Sequence, residues 1–219
     1  MLIAPPSKVA RALRNTGKTV IVRGQSGADG NHLGAAVCIF EDSAMLKSLN
    51  FGHASPKSGL ARLVQVAPDL CAIDITVSGL SPGQHGVHIH ELGDISRGAE
   101  STGRHFNPTG VDHGEVNQGH VGDLGNIMVR EDGWGDLLVE SRQINIQDII
   151  GRSMVVSELP DDLGRGTDAD AEQSKKDGNS GPGVLCGIIA RSAGAFQNSK
   201  QVCACSGKTL WEEARTSNM

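Results

Sequence analysis

Short apolar runs, alternating or continuous and bounded by Gly, Pro, Asn or Asp, recur at 33–41, 60–67, 70–78, 83–90, 125–130, 134–140, 154–158 and 184–191. Eight such runs, with no convincing helix between them, predict an all-β fold, an antiparallel sandwich or Greek-key barrel. The period of two is plainest in the fourth run, where Val87 and Ile89 share the core-facing side and His88 and His90 share the other. Two gaps, 91–124 and 159–183, are too long for hairpin turns. Loops of that length inside a compact domain are usually functional or disordered. The polar run 168–176 reads as a solvated loop.

The ends of the chain read differently. Ser7 can cap a short helix over 8–15 with Val9, Ala10 and Leu13 on one stripe, Thr16-Gly17 ends it, and 18–23 reads as a strand. One helix and one strand cannot bury a core, so 1–24 reads as the closing part of a small α/β domain. Gly24 to Gly30 is a flexible linker, and from Ser192 the chain becomes a polar tail containing Cys203-Ala-Cys205 and Trp211. The expected organisation is therefore 1–24, a barrel over 25–193, and a flexible C-terminal tail over 194–219.

Composition narrows the function. The 219 residues carry a net charge of −5 with 3% aromatics and no Tyr. That speaks against nucleic-acid binding, which needs clustered bases and stacking rings. It also leaves the core to Val, Ile, Leu and Ala. No run of about 18 apolar residues occurs, so no membrane helix is expected. Five cysteines and no export signal point to a reducing compartment, the cytoplasm. Cys38, Cys71 and Cys186 fall within the apolar runs and read as small buried hydrophobes.

The histidines carry the chemistry. Adjacent imidazoles at His88 and His90 on a rigid strand form a natural chelate for copper or zinc. His105, His113, His120 and Asp123 follow inside the first long gap, separated by 8, 7 and 3 residues. Three imidazoles and one carboxylate complete a tetrahedral zinc site of the closed, structural kind. Metal binding would also order a loop rich in Gly and Asn, since it offsets chain entropy. His32, His53 and His85 belong to no constellation.

The segments Gly86-Val-His-Ile-His-Glu-Leu-Gly-Asp94, His105-Phe-Asn-Pro108, His120-Val-Gly-Asp-Leu-Gly-Asn126, Asp161-Asp-Leu-Gly-Arg-Gly166 and Leu185-Cys-Gly-Ile-Ile189 resemble the copper/zinc superoxide dismutase family in order and spacing over roughly 30–191. The resemblance implies an eight-stranded Greek-key barrel with a zinc loop and an electrostatic loop. It implies zinc on His105, His113, His120 and Asp123, and a residual copper-type site on His88, His90 and His105, with His105 bridging the two metals. Asp161 matches the carboxylate that links the metal sites from behind.

The pattern breaks in four places. Ser157 stands where the family has its fourth copper ligand, a histidine, and Gly183 stands where it has the arginine that guides superoxide. Ala99 replaces the disulfide partner of Cys186. Residues 158–178 carry seven acids against three bases, which predicts a mouth of the wrong sign for an anionic substrate. A competent dismutase is therefore not expected.

Cys203 and Cys205 lie near Lys200 and Lys208, which favours thiolate character, and two soft thiolates suit Cu(I). Gly187 to Gly194, Phe196-Gln-Asn, the paired cysteines and Leu210-Trp-Glu-Glu213 resemble the family of copper chaperones for superoxide dismutase. In that family a heavy-metal-associated domain precedes the barrel and captures copper on an M-x-C-x-x-C loop. No such motif occurs here, so 1–24 matches only the end of that domain and the chain reads as a shortened form. The resemblance implies a metallochaperone, not an enzyme, that docks on copper/zinc superoxide dismutase as a heterodimer, delivers Cu(I) from Cys203 and Cys205 and promotes its disulfide. Alone, the same face would make a homodimer, and zinc would be structural. The rival readings are a weakly active or inactive dismutase-like enzyme, and a zinc-stabilised binding module with idle cysteines.

Overall fold

The computed structural model describes residues 33–48 and 57–192, together with residues 8, 9, 12, 13, 15 and 16. Nine strands occur among them: β1 (Ala35–Asp42), β2 (Ser58–Ala67), β3 (Leu70–Ser78), β4 (Gly83–His90), β5 (Ser96–Ala99), β6 (Asp123–Val129), β7 (Gly135–Ser141), β8 (Ser153–Ser157) and β9 (Gly183–Ser192). Eight of them close into one antiparallel barrel in the order β1-β2-β3-β7-β6-β4-β8-β9, with β9 returning to pair with β1. The chain passes from β3 to β4 across β7 and β6, which is the Greek-key step. All eight expected runs fall on barrel strands, with ends displaced by at most a few residues.

The interior follows from the composition. Phe40 and Phe106 are the buried aromatic residues of a core otherwise built from branched aliphatics such as Leu63, Ile73, Ile75, Val87, Ile89, Ile127 and Leu185. Val87 and Ile89 are fully buried in it, as the alternation in β4 requires. Cys38, Cys71 and Cys186 are free and buried, and burial pushes the Cys71 and Cys186 thiols up to about 12. They are unreactive packing groups at neutral pH.

Short helices lie between the strands. They are α1 (Ser43–Ser48), α2 (Ile146–Ile149) and α3 (Ala171–Asp177), with a 3-10 turn at Asp168–Asp170. The run 168–176 is thus mostly helix rather than loop. Its residues are good helix formers without an apolar stripe, so hydrophobic periodicity misses them. Instead α3 is held by a Lys176–Glu172 pair one turn apart and ended by Gly178 in the left-handed conformation at φ 68°. The first gap also contains β5, which lies outside the barrel and packs on α1.

At the N-terminus, Lys8, Val9, Ala12 and Leu13 are helical, and Thr16 closes the turn by donating from its amide (3.1 Å) and its hydroxyl (2.7 Å) to Leu13 O. Val9 and Leu13 are exposed. The strand expected at 18–23, His32, His53, and the tail with Cys203 and Cys205 lie outside the described residues. Among the described residues no helix is long and apolar enough to cross a membrane.

Candidate metal centre

The two long gaps fold over one side of β4. Backbone bonds stitch the first gap to that strand: Phe106 N donates to Ile89 O (2.7 Å), Ile89 N to Gly122 O (2.8 Å) and Glu91 N to Arg104 O (2.9 Å). His105 is thereby set opposite His90, and Asp123 opens β6 opposite His88. From the second gap, Lys175 O accepts from His113 N (2.9 Å), so α3 holds His113 from behind.

His105, His113 and His120 form a triangle of edge-on rings with centroids 5.3, 5.4 and 5.6 Å apart. Their Nδ1 atoms lie 3.0, 2.9 and 3.4 Å from the carboxylate oxygens of Asp123. A tetrahedron with metal–ligand distances of about 2.0–2.1 Å has edges of roughly 3.3 Å, so each imidazole stands about one such edge from the carboxylate. Nδ1 of His113 and of His120, though close to Asp123, are buried without a hydrogen bond, an expensive condition that a metal bound there would relieve. The residues present fit zinc. A grouping of His88, His105, His113 and Asp123 is tighter still, with candidate ligand atoms all within 4.8 Å of one another. His88 gives its Nε2 to Asp161, whereas His120 Nδ1 approaches the Asp123 carboxylate, which makes His120 the alternative fourth member.

Asp161 joins the two halves of the site. Its carboxylate accepts from His88 Nε2 (2.9 Å) and from His113 Nε2 (2.8 Å), and Leu163 N donates to it as well (2.7 Å). A reciprocal pair of bonds with the Asn126 amide, both 2.8 Å, fixes its backbone. A carboxylate only accepts, so His88 carries its proton on Nε2 and presents Nδ1, buried and unpartnered, to the other side. His88 and His105 stack at 3.9 Å, and the His90 ring lies 5.1 Å from His105. His88 is fully buried and His90 half-buried.

Electrostatics divide the histidines. Burial lowers His88, and burial with the charge of His105 lowers His90 to about 3. Burial and then His88 lower His105 to about 4. Burial would also lower His113, but the carboxylates of Asp123 and Asp161 override it and raise His113 to about 9. Both aspartates, despite burial, are held well below the ordinary carboxylate range by hydrogen bonds from these histidines. A metal binding at His113 Nδ1 therefore displaces a proton.

His90, His105, His120 and Ser157 line a cleft of about 790 Å³. Its lining holds Lys47, Arg104, Lys175 and Lys176 against Glu91, Glu100 and Asp177, so the mouth is not net acidic. The expectation of an acidic mouth fails because α3 turns Lys175 and Lys176 onto the cleft, while Asp161 and Asp162 face inward to hydrogen-bond partners. Ser157 is buried and its hydroxyl accepts from Ser180 Oγ (3.2 Å). At Gly183 any Cβ would overlap the Cβ of Ala99 and the side chain of Val155, so packing selects glycine at this position. Ala99 and Cys186 share a small apolar cluster with Leu46, Val155 and Ile95.

Residues 57–189 match the family model described as copper/zinc superoxide dismutase (SODC). The chain is also 43% identical over 211 residues to the copper chaperone for superoxide dismutase of Rattus norvegicus, covering 95% of this chain and 72% of the relative. The human protein of the same name is 42% identical with the same coverage. The superoxide dismutase 1 copper chaperone of Debaryomyces hansenii is 39% identical over 218 residues, covering 95% and 76%. The chain belongs to the family of copper chaperones for superoxide dismutase. Relatives in this copper-chaperone family are named as chaperones rather than enzymes, and the expectation of a metallochaperone stands with them. Sequence reading passed over Thr102 and His85. Thr102 is fully buried and bonded to His90, and His85, also buried, ties β4 to Ser157 O at 2.9 Å. A lone threonine in a loop carries no sequence signal; it matters here because the fold brings it beside His90.

Proposed function

We propose that this chain is a copper chaperone that docks on copper/zinc superoxide dismutase, hands it Cu(I) and promotes its disulfide. The observation that carries the reading is the identity of 42–43% over 95% of the chain to proteins named for that role. In this reading zinc is structural, held by His105, His113, His120 and Asp123. Zinc, when bound, supplies a rigid cross-link between the loop and β6. Asp161 orients His88 and His113, and Gly178 leaves room for the Asp161–His113 contact at the end of α3. His88, His90 and His105 form a residual copper-type site without its fourth imidazole. Residues 25–193 act as the docking barrel, 1–24 as the remnant of a heavy-metal-associated domain and 194–219 as the delivery tail.

Ile39 on β1 and Ile188 on the adjacent β9 are exposed by 60% and 42%, an apolar contact for the client or, without one, for a second copy. Cu(I) is the cargo and rides on Cys203 and Cys205, passing between thiolates without change of oxidation state. When those two cysteines are joined as a disulfide, a client thiolate attacks one sulfur. The second client thiolate then resolves the mixed disulfide. Two electrons and two protons move from the client dithiol to the tail, which ends reduced. Three buried free thiols support a reducing compartment, the cytoplasm. Neither nucleic acid nor membrane is a partner in this reading. The test is activation of copper-free client by the wild-type chain and by the Cys203→Ser, Cys205→Ser double variant. Loss of activation in the variant supports the reading, and equal activation overturns it.

A further inference from the structure

We propose that Thr102 is a positioning residue that fixes His90 with its Nε2 lone pair facing the cleft. The proposal deepens the reading of His88, His90 and His105 as a metal-binding set and rests on it. The proton order follows from which atoms can only accept. Ala99 O accepts from the Thr102 hydroxyl at 2.8 Å, so that hydroxyl has spent its one proton. Thr102 Oγ1 also lies 2.8 Å from His90 Nδ1, and the shared proton must therefore belong to the imidazole. Gly103 O, 3.0 Å from the same nitrogen, can likewise only accept. Nδ1 of His90 is thus a donor held from two sides, and the neutral ring keeps its lone pair on Nε2. No described hydrogen bond engages that nitrogen, and the ring lines the cleft beside His105.

The acceptor that orders this chain is itself held. Ala99 N donates to Ser43 Oγ of α1 (2.8 Å), and Gly98, at φ 63°, permits an approach that any Cβ would block by overlapping Ser43. Lys47 and Glu100 pair across the same junction, and Leu46 packs with Ile95 and Ala99. An ordinary loop threonine would lose little by turning its hydroxyl to water. Thr102 is fully buried and has nowhere else to turn.

The test uses the zinc-loaded full chain. Nitrogen NMR of the imidazoles reports the His90 tautomer and the exchange of its Nδ1 proton, and titration with Cu(II), followed by its visible spectrum, reports affinity at the second site. The expected wild-type result is the Nδ1-protonated tautomer with slow exchange. Thr102→Val should speed that exchange at least about tenfold and lower Cu(II) affinity about 10–100-fold, as loss of a group that orients a ligand typically does. Thr102→Ser should restore both, while the His113 and His120 signals stay in place and exclude general loosening. An Nε2-protonated His90 in the wild type, or wild-type Cu(II) affinity in Thr102→Val, overturns the proposal. A wild type that takes no Cu(II) at all, with the tautomer as expected, overturns the metal reading of the cleft and the proposal with it. Client activation through the tail cysteines is measured separately and is untouched by either failure.

Discussion

Replacing Asp161 by Asn tests whether one carboxylate holds both halves of the metal centre. The side chain keeps its shape but trades an acceptor for a donor. Oδ1 now serves two donors, His113 Nε2 at 2.8 Å and Leu163 N at 2.7 Å, whereas Oδ2 serves only His88 Nε2 at 2.9 Å. The single amide oxygen of the variant will therefore settle toward His113 and Leu163, leaving the new NH₂ against the His88 N–H. Each bond to a charged partner contributes about 1.5–3 kcal/mol, and a buried donor left without one costs about 1–3 kcal/mol. The loss falls on His88, which is fully buried and cannot turn to water. Ligand-orienting groups typically change metal affinity about 10–100-fold. Asp161→Asn should accordingly weaken Cu(II) at the His88 site by that factor and weaken Co(II) or zinc at the Asp123 site by less than about tenfold. Competition titrations with a chelator, one metal at a time, separate the two numbers. Equal affinities in both sites, or a larger loss at the zinc site, would refute the assignment of Asp161 as the shared brace and the orientation argued for its oxygens.

Three further outcomes follow from the same geometry. Gly178→Ala places a methyl where Asp161 and His113 meet, at a backbone φ of 68°, so it should lower zinc affinity and melting temperature together in calorimetry, and an unchanged melt in excess zinc would contradict it. Gly183→Arg should cost about 1–3 kcal/mol in denaturant unfolding through overpacking against Ala99 and Val155, and should not restore superoxide turnover; a stable, active variant would show that the cleft is only a substitution away from catalysis. In the metal-free protein His90 and His105 are lowered to about 3 and 4, so below the unfolded value near 6.5 the unfolded chain binds protons that the fold refuses, and stability falls as pH drops. His113, raised to about 9, keeps a proton the unfolded chain loses, so stability also falls as pH rises from about 6.5 to 9. The metal-free melting temperature should therefore peak near pH 6.5, and a peak well to either side would mean that the site is not closed in the absence of metal.

The histidine spacings and the alternation in β4 already singled out the side chains that the fold gathers, because a strand forces side chains at i and i+2 onto one face whatever surrounds it. Local periodicity likewise located every barrel strand. The helix at 171–177 was hidden, since it has no apolar stripe and is anchored through the buried Ser174 hydroxyl, which donates to Asp162 across the loop. The sign of the cleft was misjudged for a related reason: charge counted along a loop says nothing of which way a helix will turn it.

Residue type and spacing alone determined the class of fold and which histidines and carboxylates could serve together as donors, for these depend on valence, hydrophobic period and short-range geometry. Which carboxylate braces which imidazole, why position 183 admits no side chain, and how Thr102 comes to face His90 depended on contacts between segments distant in the chain. Such contacts exist only after barrel closure has brought β4, β8 and the two long loops together, and no local pattern encodes them.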